Sequence, residues 1–190
     1  MIQSRRGFTL IEILIVLAMI GIVAAIAVPR IDLTRYRVDS AMQGIGTTML
    51  VAQRLAVTRQ HDVIVRFDVP GAALIVHEDA DNDGAVDSGE RVRRFPLGEH
   101  IVFGRAGAPP GPIPGSGNEV TFTRTVDGMP AVVFHRNGSA SEAGGFYLTS
   151  KRAVLNPGHE TDTRAIEVER GTGRVSWYRY TSGGTWVRGF

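Results

Sequence analysis

An apolar run near the N-terminus, Phe8 to Val28, constrains this chain more than any other feature. Its residues, about 21 of them, would span roughly 30 Å as a helix rising about 1.5 Å per residue, the thickness of a bilayer core. One charge interrupts the run: Glu12, four residues past Phe8. A carboxylate inside a bilayer costs about 2.5–3.5 kcal/mol on insertion scales, so such an acid points to a function and a partner. The alternative is an uncleaved signal anchor whose Glu12 snorkels toward the headgroups. Arg5 and Arg6 stand just before the run, which by the positive-inside rule keeps the N-terminus cytoplasmic and sends the rest of the chain to the periplasm. A secretory signal would place small residues and a cleavage site after the run. Here Ala27-Val28-Pro29-Arg30 leads straight into another helical pattern.

The dibasic leader, the Gly7-Phe8 junction, Thr9-Leu10-Ile11-Glu12 and Pro29 together resemble the N-terminus of type IV pilins and type II secretion pseudopilins. That resemblance implies cleavage between Gly7 and Phe8 by a prepilin peptidase, N-methylation of Phe8, and assembly into a helical filament through Phe8, Glu12 and Pro29. The mature N-terminal amine lies within one helical turn of Glu12. In a filament, Glu12 can pair with the Phe8 amine of a neighbouring subunit, fixing axial register while neutralising a buried charge. The implied partners are other major and minor pilins or pseudopilins, the prepilin peptidase, an inner-membrane assembly platform and the lipid bilayer.

From Ile31 to about Gln60 the apolar residues Val38, Met42, Ile45, Met49, Ala52 and Ala56 recur every three or four positions, the mark of one buried helix face. The expectation is one long helix from Phe8 to about Arg59, kinked near Ala25 to Pro29 because proline cannot donate its helical hydrogen bond. Gly44 and Gly46 each weaken it by about 1 kcal/mol relative to alanine. Beyond His61 the period changes to two. Strands are expected at Val63–Asp68, Ala73–Glu78, Arg91–Phe95, Ile101–Gly104, Glu119–Thr123, Ala131–His135, Gly145–Thr149, Arg164–Glu169, Arg174–Tyr180 and Thr185–Arg188. Pro70-Gly71, Asn137-Gly138, Asn156-Pro157-Gly158, Gly171-Thr172-Gly173 and Gly183-Gly184 mark turns. Gly104 to Asn118 carries too much proline and glycine for a strand and is expected to be a mobile surface loop. The fold class is therefore α+β: a long helix, transmembrane in its first half and amphipathic in its second, packed on an antiparallel β-sheet domain. The divisions are a leader (1–7), a transmembrane half (8–28), an amphipathic half (29–60) and a periplasmic β-rich domain (61–190).

That domain is large enough for a sizeable core. With no cysteine in the chain, it has no disulfide, no thiolate nucleophile and no Cys-based zinc site. His61, His77, His100, His135 and His159 lie scattered without metal-ligand spacing, Ser139 and Ser141 lack a nucleophile-elbow pattern, and Gly104 to Gly117 precedes no Lys-Ser/Thr. The chain reads as a structural protein, not an enzyme.

The segment Val51 to Arg59 with its following strand, Phe134-His135-Arg136-Asn137-Gly138, and Ile166 to Val175 resemble the GspH/FimT group of minor pilins and pseudopilins. This implies a subunit at or near the tip of a type IV pilus that primes its assembly. The alternatives are a minor pseudopilin of the type II secretion filament and a DNA-binding minor pilin of natural transformation.

Two further segments stand out. Asp79 to Glu90 fits a twelve-residue EF-hand calcium loop, with Asp79, Asp81, Asp83, Asp87 and Glu90 as side-chain ligands, Gly84 at the sharp turn, Ala85 lending its carbonyl and Val86 packing inward. Its flanks read as strands rather than EF-hand helices, so a solvated acidic hairpin tip is the other reading. Outside this loop the chain is basic, and its closing strands interleave Arg174, Arg179 and Arg188 with Trp177, Tyr178, Tyr180 and Trp186, a pattern that suits phosphates and exposed bases. Strand alternation sets Trp177 on the side of Val175, which favours a core position for it, and edge arginines also protect a sheet from pairing.

Overall fold

The computed structural model describes residues 7–27, 32–117 and 119–189. The chain divides into two compact units, one ending at Leu33 and the other beginning at Thr34.

The first unit carries helix α1, Leu10–Ala27, in which every residue except Glu12, Met19 and Gly21 is Leu, Ile, Val or Ala. No polar stripe faces an apolar one, and the side chains from Leu10 to Ala25 are exposed. Among the described residues no helix is long and apolar enough to cross a membrane. The 18 residues of α1 rise about 27 Å, against a bilayer core of about 30 Å that takes about 20 residues. The leader residues 1–6, Val28 at the end of the expected span, and Pro29 with its expected kink lie outside the described residues.

The second unit is built on α2, Leu33–Arg59. Its buried face is Val38, Met42, Ile45, Gly46, Met49, Ala52 and Ala56, the face that the sequence periodicity marks, with one glycine added. Among the described residues ten strands follow: β1 Asp62–Asp68, β2 Ala73–Asp79, β3 Arg91–Pro96, β4 Ile101–Phe103, β5 Thr125–Val126, β6 Met129–Phe134, β7 Gly144–Ser150, β8 Arg164–Val168, β9 Val175–Tyr180 and β10 Trp186–Arg188. They form two antiparallel sheets, ordered β3-β2-β1-β6-β5 and β10-β9-β8-β7-β4. The α2 face and one face of each sheet share a single core. Phe67 of the first sheet lies near its centre, 4.9 Å from the ring of Phe146 in the second and stacked on Phe122 at 5.3 Å. Burying one such ring stabilises by about 1.5–3 kcal/mol.

Arg35 at the start of α2 donates to Thr161 Oγ1 at 2.8 Å, and three further ties to the second sheet and nearby turns fall at residues seven apart, on one stripe of the helix. Arg164 Nε donates to Asp39 Oδ1 at 2.6 Å. Gly46 lies against the indole of Trp177, so closely that a Cβ there would meet Nε1 at 2.2 Å. Gln53 Nε2 donates to the carbonyls of Gly138 at 2.9 Å and Thr172 at 2.6 Å.

The structure departs from the sequence expectations in three places. Glu119–Thr123 is not a strand: only an isolated bridge joins Val120 to Phe146, and the Thr121 hydroxyl takes part by accepting from the Gly145 N–H at 2.8 Å. The two-residue strand β5 and a short helix α3, Lys151–Leu155, are too brief to register as a period. The loop after Gly104 is tied down. Its Ile113 packs with Tyr147 and Ala165 on the outer face of the second sheet, and Gly111 exchanges hydrogen bonds with the Tyr147 hydroxyl at 3.1 and 3.2 Å.

Candidate functional sites

Thr9 and Glu12 close the first turn of α1 on each other. Thr9 Oγ1 accepts from the Glu12 N–H at 3.3 Å, and Glu12 Oε2 accepts from the Thr9 N–H at 3.3 Å. This is a capping box, in which two otherwise unpartnered N–H groups at a helix start are satisfied reciprocally. Thr-x-x-Glu before an apolar run is its sequence signature, so the arrangement was there to be read from Thr9 and Glu12. The residues flanking the expected scissile bond are open: Phe8 is 83% exposed, and among the described residues beyond its chain neighbours no atom lies within 4 Å of where a Cβ on Gly7 would sit.

The acidic segment connects β2 to β3, so strands flank it as the sequence suggested. Asp79, Asp81 and Asp83 each bring a carboxylate oxygen to within 4.8 Å of the others. Gly84, at φ +80°, turns the chain so that its N–H donates to Asp79 Oδ2 at 2.9 Å. Asp81 and Asp83 accept from the N–H groups of Asp83 and Ala85. Val86 turns inward against Ile64, Val126, Ala131 and Val133, sealing the outer face of the first sheet. Burial pushes the Asp79 carboxyl above its ordinary value, against the pull of the Gly84 N–H and with the negative charge of Glu90 adding to the rise.

Asp87 and Glu90 do not join this cluster. Glu90 Oε1 accepts from the Ala80 N–H at 2.7 Å, while Oε2 accepts from the Asp87 N–H at 3.1 Å and meets Nε2 of the fully buried His77. Burial alone would raise the Glu90 carboxyl, but the Ala80 and Asp87 N–H groups and His77 outweigh it and hold the carboxyl below its usual range. In this arrangement Glu90 ties the base of the loop, so the six-residue ligand set that the sequence suggests is gathered at its first three side chains.

The closing arginines are only partly together. Arg174 and Arg188 border one shallow depression with Trp177, and Arg179 is not among its lining residues. Arg188 Nη2 donates to Ser176 Oγ at 2.7 Å. The rings are engaged within the protein. Trp177 packs on the core, and the Tyr178 hydroxyl donates to Glu167 at 2.7 Å. Trp186 lies against Tyr147 and Tyr180 and donates to the Pro109 carbonyl.

An apolar helix that opens on a capped acid, four residues past an open Gly-Phe junction, stands at the head of the chain. Residues 2–28 match the family model of the prokaryotic N-terminal methylation motif. That match takes in the Gly7-Phe8 junction, Glu12 and the whole of α1. The chain is 30% identical over 89 residues to the pilin-like protein PilA1 of Thermus thermophilus, an alignment covering 46% of this chain and 57% of that protein. The chain thus spans little more than half the length of this relative. Two structures of the minor pseudopilin EpsH from the type 2 secretion system of Vibrio cholerae are also similar. They align with TM-scores of 0.40 and 0.41 at 12% and 13% identity, over 78% and 81% of this chain and 92% and 94% of theirs.

Proposed function

We propose that this protein is a minor pilin that enters the inner membrane through the run Phe8 to Val28, is cut between Gly7 and Phe8, and joins a type IV pilus at or near its tip to prime assembly. The observation that carries this reading is the contrast inside the chain: α1 is apolar on every side and exposed, while the unit from Thr34 onward closes a core of its own. An apolar helix without a polar face belongs in a bilayer or in the interior of an assembly. Sliding from one to the other is what insertion followed by polymerisation requires. The resemblance of Phe134 to Gly138 and Ile166 to Val175 to the GspH/FimT group supports the tip position.

Within the filament, Glu12 exchanges its contacts with Thr9 for the amine of a neighbouring subunit's Phe8. Gly7→Glu should leave an unprocessed precursor, because a side chain obstructs the peptidase at that peptide. Glu12→Ala should be processed and then incorporate poorly. Because the chain has no cysteine, Ser182→Cys at the exposed β9–β10 turn gives a single site for a maleimide dye. Labelled protein should appear as single foci at pilus ends and in sheared pili, with the mature chain beginning at methylated Phe8 by mass spectrometry. Label spread evenly along the fibre would overturn the tip position, and a mature chain beginning elsewhere would overturn the assignment as a processed subunit.

A further inference from the structure

We propose that Asp79, Asp81 and Asp83 form a binding site for a hard divalent cation of the calcium class, and that Glu90 holds the site's base instead of ligating the ion. Three carboxylates approach within 4.8 Å of one another, and like charges so close repel unless a cation or a proton intervenes. Asp79 is only 1% exposed. Its Oδ2 is engaged by the Gly84 N–H; the N–H groups of Asn82 and Asp83 lie near the carboxylate, but among the described residues none reaches its buried Oδ1 in hydrogen-bonding geometry. A buried carboxylate oxygen left unpaired is costly, and a bound cation removes that cost. The guanidinium of Arg124 comes close to Gly84, but among the described residues no ion pair joins it to the three acids.

The donor set selects the ion. It is all oxygen, with no thiolate in the chain and with the nearby His77 facing Glu90, which suits calcium or magnesium over zinc or copper. Three carboxylates on an irregular turn, completed by water, fit the tolerant coordination of calcium better than the strict octahedron of magnesium. Affinity should be in the range of extracellular modules, on the order of 10⁻⁴–10⁻³ M, which matches a domain outside the cytoplasm.

The site also has a mechanical basis. Its ligands begin at the last residue of β2, and Val86 just beyond them is seated on the first sheet. An ion would therefore tie the β2–β3 connection down over that sheet's outer face.

The test uses the full-length chain in detergent, with calcium chloride or magnesium chloride as the probe, followed by calorimetric titration and thermal melting. Calcium should give a saturable heat and, at roughly ten times Kd, raise the melting temperature by about 3–6 °C, with magnesium giving less. Asp81→Asn with Asp83→Asn should abolish the heat and the shift without lowering the melting temperature in chelator, since removing like charges costs the fold nothing. Glu90→Gln should lower the melting temperature in chelator and keep the calcium shift. No saturable heat in the parent protein, or a shift that survives the double substitution, overturns the site. Loss of the shift in Glu90→Gln overturns the role assigned to Glu90, because that carboxylate would then be a ligand.

Discussion

Helices α1 and α2 draw on the same apolar alphabet and use it in opposite ways. In α2 seven buried residues fall on one face, where the two sheets cover them. In α1 the apolar residues surround the axis, and from Leu10 to Ala25 none is covered. Helices in proteins draw most of their stability from packing a face against other elements and little from propensity. The first helix therefore depends on surroundings that its own unit does not supply, and the second takes its stability from its own domain. One chain thus holds a part that closes its own core and a part that closes none.

Truncation in each helix probes that contrast most strongly. Met49→Ala, at a fully buried site, should destabilise the domain by about 2–5 kcal/mol in denaturant unfolding. Leu14→Ala, at an exposed site on α1, should leave the domain within about 0.5 kcal/mol while lowering incorporation into filaments. Equal losses from the two would erase the distinction.

The paired glycines of α2 sharpen it further. Gly46→Ala forces a methyl against the Trp177 indole and should cost about 1–3 kcal/mol by overpacking. Gly44→Ala meets no atom within 4 Å and should stabilise the same helix by up to about 1 kcal/mol. On α1, Thr9→Ala should remove the capping box, at about 1 kcal/mol. That loss should be read as faster amide exchange at Ile11 to Ile13, with the melting of the domain unmoved.

Acid should give the smallest effect, and in the domain alone. Burial would raise the Glu142 carboxyl, but hydrogen bonds from the N–H of Arg124 and from the hydroxyl and N–H of Thr123 outweigh it and hold the pKa low. The stabilisation from a depressed carboxyl is complete above the unfolded value of about 4.3 and is lost as pH falls through the lower folded value. Melting temperatures between about pH 5 and 3 should fall less steeply in Glu142→Gln than in the parent.

What the sequence discloses and what it hides divide along physical lines. The buried face of α2 was legible residue by residue, because burial on one side of a helix imposes a period of 3.6 that Val38 to Ala56 display. Most strands announced themselves by alternation between Gly, Pro and Asn turns. Gly46 was misread as a mere weakness, since its reason is Trp177, more than a hundred residues away in sequence. The same holds for the loop after Gly104: its glycines and prolines signal a loop, but nothing local shows that Tyr147 will hold Gly111. In the acidic loop the residue types were legible, whereas the division between clustered Asp79, Asp81 and Asp83 and the diverted Glu90 was not. That division depends on His77 being buried beside it.

The ties at Asp39, Gly46 and Gln53 bear on what happens when the chain is under tension. Seven residues of helix rise about 10.5 Å, so the three anchor points are spread over about 21 Å of α2, all toward the same sheet and its turns. A pull along the helix axis loads the ion pair, the indole contact and the paired carbonyl bonds together, in shear, and none can give way before the others take the strain. A pull across the axis would open them one after another, as a zip opens. The domain is riveted to its helix against a pull along that helix's own axis.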